Sequence, residues 1–122
     1  MSKVGDAVRN ILECSGSRAV MLVDRATGHA FVSMGEQGLL LPAESVGEVY
    51  QMAESVQLAG SGHEVVETES IMVTTAAYHH VIRPVPGGGS DGPLLSVVFD
   101  RGRTNLALAR RELDARAETL LA

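Results

Sequence analysis

Three kinds of chemistry are worth testing against the side chains of this sequence. Gly87-Gly88-Gly89 invites phosphate binding, because backbone amides in a glycine-rich turn can cradle an anion. A phosphate loop, however, needs Gly-Lys-Ser/Thr opening a helix. Here Ser90-Asp91-Gly92-Pro93 follows, with an acid where a cation is required, and then a strand. The stretch from Pro86 to Pro93 reads as a flexible loop. Metal chemistry would draw on Cys14, His29, His63, His79 and His80, but no pair has CxxC, HxxxH or related spacing. His79 and His80 are neighbours on a predicted strand and point to opposite faces, so one is expected to be packed and the other solvent-facing. Nucleophilic chemistry needs an activated side chain. The serines and threonines lack a nucleophile-elbow glycine pattern, and Cys14 has no cationic setting to lower its pKa. The sequence therefore predicts no catalytic residues, no metal and no cofactor.

Composition narrows the class further. The 122 residues suffice for one domain, 1–122, with a sizeable core. No apolar run approaches the roughly 20 residues of a membrane span. Met1-Ser2-Lys3-Val4-Gly5-Asp6 puts an acid where a secretory signal would begin its apolar region, and the lone Cys14 forms no internal disulfide. Both fit a cytoplasmic protein. The net charge is -5 and unevenly spread. No lysine or arginine lies between Arg25 and Arg83, a span that holds Glu36, Glu44, Glu48, Glu54, Glu64, Glu67 and Glu69. Two readings are open: solvated faces that happen to segregate, or an acidic surface that selects a basic partner patch. Nucleic acid is not expected. The C-terminal arginines are interleaved with Asp100, Glu112, Asp114 and Glu118, and no Trp is present to build a stacking platform.

The elements that must position any site follow from periodicity. Ser2 can cap a first helix whose stripe is Val4, Ala7, Val8, Ile11 and Leu12, closed by Gly16. The charge-free run Ala19–Val23 is expected to be a central strand covered on both faces. It forms a hairpin with a second strand, in which Ala30, Val32 and Met34 share one face and His29, Phe31 and Ser33 the other. Pro42 suits a helix start, and from Ala43 to about Leu58 an apolar face (Val46, Val49, Tyr50, Ala53, Val56) opposes a polar one (Glu44, Glu48, Gln51, Ser55). Gly60-Ser61-Gly62 is expected to end that helix. A strand from about Ile71 to Thr75, with a start as early as Glu64 left open, precedes a tight turn at Ala76-Ala77. The strand Tyr78–Arg83 follows, with Pro84 at its end or at an unpaired edge position. Leu94–Phe99 reads as a second central strand. Thr104 is expected to cap a last helix with the stripe Leu106, Ala109, Leu113, Ala117, Leu120 and Leu121.

The order α-β-β-α-β-β-β-α predicts an α+β domain: a five-stranded antiparallel sheet with helices on its faces. With chemistry set aside, interaction remains. A sheet with an incompletely covered edge can pair with a second copy, and the small side chains of the helix from Ala43 suit packing against a symmetry mate.

Ala19-Val20-Met21-Leu22-Val23-Asp24-Arg25, followed by Gly28 and a second strand, resembles the opening hairpin of the roadblock/LC7 family, a profilin-like topology. Tyr78–Val85 and Leu94–Asp100 look like its later strands, and the element order is similar over essentially the whole chain; the connection Glu64–Ser70 is longer than usual. The resemblance implies a homodimer joined edge to edge through the third strand with the second helices side by side, which selects Val49, Met52, Ala53, Ile71, Val73 and Thr75 as interface residues. It also implies a non-catalytic partner or regulator of a small Ras-like GTPase; some bacterial members look like parts of operons that combine a sensor kinase, a roadblock protein and a GTPase. The family's helix-2 platform, carried over, points to Glu44, Glu48, Gln51 and Ser55 as partner-binding residues. No residue reads as an arginine finger. The alternative is a PAS-like or profilin-like small-molecule sensor.

Overall fold

The computed structural model describes residues 3–61, 69–89 and 91–121, with side chains excepted at 56–61. Its elements run α1 (Lys3–Leu12), β1 (Ser17–Val23), β2 (Ala30–Gly35), a single 3-10 turn (Gln37–Leu39), α2 (Ala43–Ser61), β3 (Ile71–Thr74), β4 (Tyr78–Pro84), β5 (Leu94–Asp100) and α3 (Leu106–Ala117). The strands form one antiparallel sheet in the order β2-β1-β5-β4-β3. The predicted α+β order is the observed one. The Ser2 cap, Gly62, His63, Glu64, Glu67, Ser90 and any start of the third strand before 69 lie outside the described residues, as do the side chains of Val56 and Leu58.

β1 lies between β2 and β5, and its lack of charge follows from its place. Val20 and Leu22 enter a core with Val8 and Ile11 of α1, Leu95, Val97 and Phe99 of β5, and Ala109, Leu113 and Ala117 of α3. Met21 and Val23 enter a second core with Val46 and Tyr50 of α2, Ile82 and Leu94. One strand thus serves two layers, α1 and α3 on one face and α2 on the other. Each fully buried aliphatic side chain contributes about 1.5–3 kcal/mol. A charge anywhere from Ala19 to Val23 would sit in one core or the other.

Several boundaries differ from expectation. α2 continues to Ser61 because a lone helical glycine such as Gly60 costs only about 1 kcal/mol and does not by itself stop a helix. α3 is capped by Asn105, whose Oδ1 accepts from the Leu108 amide at 3.1 Å, not by Thr104. Thr104 instead packs on Gly16, where a β-carbon would lie 1.9 Å from its Oγ1. Leu121, past the end of α3, is exposed rather than part of the stripe, whereas Leu120 is buried. In β2 the strict alternation fails. The β1–β2 register shifts between Leu22 (opposite Val32) and Val23 (opposite Ala30), so Phe31 is an extra residue. This bulge turns Phe31 into a surface hollow beside Val32, Leu22 and Val4 instead of aligning it with Ser33.

The two sheet edges are treated differently. β2 carries the Phe31 bulge, and Gln37 Nε2 donates to the Ser33 carbonyl at 3.4 Å, both devices that discourage further strand pairing. β3 pairs with β4 in unbroken register, Ile71 opposite Ile82 through Thr74 opposite His79. Among the described residues no strand lies on its other side.

Candidate functional site

α2 covers the face of the sheet opposite α1 and α3, resting on β1, β4 and β5, with Leu40 and Leu41 packed beside it. Val46 and Tyr50, four apart, point into the sheet. The opposite side is therefore fixed by helical geometry, and it carries Glu44, Glu48, Gln51 and Ser55, all exposed. The four sequence-derived partner residues thus form one continuous outward row. Ser55 Oγ donates back to the Gln51 carbonyl at 3.1 Å, so its hydroxyl is held along the helix. Two carboxylates one turn apart make the N-terminal half of this row acidic.

The β1–β2 turn lies beside the start of α2. The Asp24 amide donates to the His29 carbonyl at 2.8 Å and the Gly28 amide to the Asp24 carbonyl at 2.9 Å. Asp24 Oδ1 accepts from the Ala26 amide at 3.0 Å. Gly28 has φ +76 and lies against the first turn of α2, where a β-carbon would be 3.5 Å from Glu44 Cα. Arg25 then reaches over the Tyr50 ring, its guanidinium carbon 4.8 Å from the centroid. The signal was present in the sequence: Arg25 is the last cation before the long acid-only span.

The six residues implied as interface fall on two elements and a turn. Met52 is 70% exposed and Val73 50%, two of the exposed large apolar side chains, which also include Phe31, Leu108 and Leu121 elsewhere in the chain. Val49 and Ile71 are half-buried against the α2-side core, and Ala53 is half-buried on the same helix. Thr75 lies one residue beyond the end of β3. Its Oγ1 accepts from the Tyr78 amide at 3.1 Å and the Ala77 amide at 3.4 Å, so its polar groups serve the β3–β4 turn. β3 itself ends at Thr74.

The remaining reactive groups are held in place structurally. Gly87 and Gly89 take positive φ in the β4–β5 loop, and the Gly88 and Gly92 amides donate to the Val85 and Gly89 carbonyls. Two amides of the loop are therefore already engaged within it. Cys14 is buried, and desolvation raises its thiol pKa, opposite to what a nucleophile needs. Among the described residues no three His, Cys, Asp or Glu side chains converge to hold a metal ion. His79 is buried, with Nδ1 2.8 Å from Thr74 Oγ1. His80 is half-buried rather than solvent-facing, edge-on to Tyr78 with ring centroids 6.3 Å apart.

Burial pushes the His80 pKa below its ordinary 6.5. The folded chain then binds this proton less readily than the unfolded chain. The contribution to stability is complete above about pH 6.5 and is lost as pH falls below it. His80→Gln should therefore lose less of its urea midpoint than the unaltered chain between pH 7 and pH 5. Parallel pH profiles for the two proteins would rule this out.

The architecture, two helices behind and one in front of a β2-β1-β5-β4-β3 sheet, is that of roadblock/LC7 domains. The Roadblock/LC7 domain from Streptomyces avermitilis superposes with a TM-score of 0.71 at 14% identity, over 94% of this chain and 92% of that one. MglB of Myxococcus xanthus superposes with a TM-score of 0.80 at 18% identity, over 98% of this chain and 93% of that one. A structure of MglB with tetrameric arrangement gives 0.75 at 16% identity, over 97% and 85%. The sequence itself matches no protein-family model and no curated protein. At such identities the likeness is one of fold, carried by element order and sheet topology. Among the described residues no helix is long and apolar enough to cross a membrane.

Proposed function

We propose that this chain is a homodimeric, non-catalytic adaptor or regulator of a small Ras-like GTPase, acting as a single roadblock-type domain in the cytoplasm of a bacterium, in a signalling system that includes a sensor kinase. One observation carries the reading. The face that bears α2 combines an outward acidic row, Glu44 and Glu48 with Gln51 and Ser55, with the apolar side chains Met52 and Val73 left exposed beside an edge strand in regular register. Two copies joined along β3 would cover Val73 and bring the two rows onto one surface. The tetrameric arrangement recorded for MglB is in keeping with self-association by a chain of this fold.

The test is capture of a small GTPase from lysate of the source organism, loaded with GTP or with GDP. Capture should depend on the nucleotide. Glu44→Arg with Glu48→Arg should weaken capture about tenfold or more, since reversing charges on a complementary surface acts mainly on encounter and register. Light scattering should still report a dimer. Loss of the dimer with retained capture would mean that α2 faces its symmetry mate and not the GTPase.

The small-molecule sensor reading has one observation in its favour. A hollow of about 490 Å³ is lined by Val4, Gly5, Leu22, Phe31, Val32, Pro93 and Leu121. That lining holds no polar side chain, whereas a specific ligand site needs a few convergent polar groups to fix orientation. A second hollow of about 490 Å³ has such groups in Ser17, Arg18, Asp100 and Arg103, but Arg18 and Asp100 are already paired with each other and its lining holds no apolar side chain. The hollow bounded by Arg83, Arg110 and Asp114 holds only about 20 Å³, enough for about one water.

A further inference from the structure

We propose that Arg25 is the positioning residue of the partner helix: by stacking on Tyr50 it fixes the height and angle at which α2 presents Glu44, Glu48, Gln51 and Ser55. The inference rests on the reading of that row as the GTPase-docking surface, and it names the residue that tunes it.

Among the α2 side chains described, Val46 and Tyr50 are the fully buried ones, so Tyr50 is one of two anchors that set the helix on the sheet. Its ring is bounded on one side by the second core, with Met21, Val23 and Ile82, and the Arg25 guanidinium lies over it 4.8 Å from the centroid. A cation over an aromatic face at this distance is attracted by the ring quadrupole. Arg25 is in turn held by a turn that is itself rigid. Asp24 is hydrogen-bonded to the backbone of Ala26, Gly28 and His29 beyond it, and Thr27 Oγ1 accepts from the His29 amide at 3.3 Å. Gly28 lies near the start of α2, where an added β-carbon would come into van der Waals contact with Glu44. The arm and the helix therefore approach each other at Glu44 and meet, cation to ring, at Tyr50. Removing the second weakens the hold at Tyr50 while Val46 stays in the core, so α2 rocks on that remaining anchor and the outward row moves with it.

Two readouts separate this idea from the docking reading. Amide exchange over residues 43–55, measured on the protein alone, reports the hold on α2. GTPase capture reports the row. Arg25→Ala should speed exchange over 43–55 about three- to tenfold and weaken capture by a similar factor, with the dimer intact. Tyr50→Leu should do the same, and the double variant should be no worse than the more severe single one. Arg25→Lys and Tyr50→Phe, which keep a cation and a ring, should restore most of both. Unchanged exchange in Arg25→Ala, or additive effects in the double variant, would overturn the proposal. Faster exchange with capture unaltered, or with no capture even by the unaltered chain, would uphold Arg25 as the hold on α2 and refute the docking row.

Discussion

Val73→Asp is expected to turn the proposed edge-to-edge dimer into a monomer while leaving the fold intact. Val73 is half exposed on β3, at the end of the sheet, so an aspartate there loses little in the isolated chain. It would sit opposite His80 in the β3–β4 pair, a neighbour that tolerates an acid. In an edge-to-edge dimer the situation reverses. Two-fold symmetry places the substitution on both sides of the junction, so two carboxylates are desolvated in one interface and repel each other. Uncompensated buried charge costs about 3–5 kcal/mol, which weakens the dimer at least about 100-fold. Sedimentation over a concentration series measures this directly. Val73→Thr, which keeps the β-branched shape, should remain a dimer at the concentrations where Val73→Asp does not. An aspartate variant as dimeric as the unaltered chain would show that β3 is not the junction, and would move attention to Met52 on α2.

The core elements were legible because their causes are local and strong. A run without charge from Ala19 to Val23 can only be satisfied by two covered faces, and β1 has them. The 3.6-residue repeat through Val46 and Tyr50 assigns the outward side of α2 by elimination, and Glu44, Glu48, Gln51 and Ser55 are all exposed there. What was not legible is what depends on residues far apart in sequence. Phe31 leaves the alternation because the β1–β2 register slips by one residue there, a property of the pair and not of either strand. Thr104 is a good cap by type, but Gly16 lies against it and Asn105, equally good by type, takes the role. Thr75 belongs by composition to a strand, yet its hydroxyl is worth more to the turn it caps. Arg25 and Tyr50 are on different elements, and only the docking of the hairpin turn on α2 brings them together.

The largest effect on stability should come from Gly35→Ala, a substitution that looks harmless at the end of an edge strand. Gly35 has φ +86, and a β-carbon there would lie 2.4 Å from the Arg18 carbonyl oxygen, 2.9 Å from Leu12 Cδ1 and 3.0 Å from Ala19 Cα. The left-handed backbone alone costs about 1–2 kcal/mol for a residue with a side chain. The clash adds about 1–3 kcal/mol, because two of the three close atoms belong to the backbone of β1 and cannot swing aside. The conformation also has a purpose. It sends the chain back so that the Glu36 amide donates to the Arg18 carbonyl at 2.9 Å, and the Glu36 carboxylate then meets the Arg18 guanidinium, which is also paired with Asp100 at 3.0 Å. Three strands are tied at that end of the sheet, β2 through Glu36, β1 through Arg18 and β5 through Asp100. A total near 3 kcal/mol is a large share of the about 5–15 kcal/mol that holds a domain together, and should lower the urea midpoint by about 2 M. Gly47→Ala provides the contrast. Gly47 lies inside α2 with nothing within 4 Å of its would-be β-carbon, so the same chemical change should stabilise by about 0.5–1 kcal/mol. Opposite signs from one substitution type would show that the cost at Gly35 lies in its backbone and its neighbours, and not in the loss of a glycine.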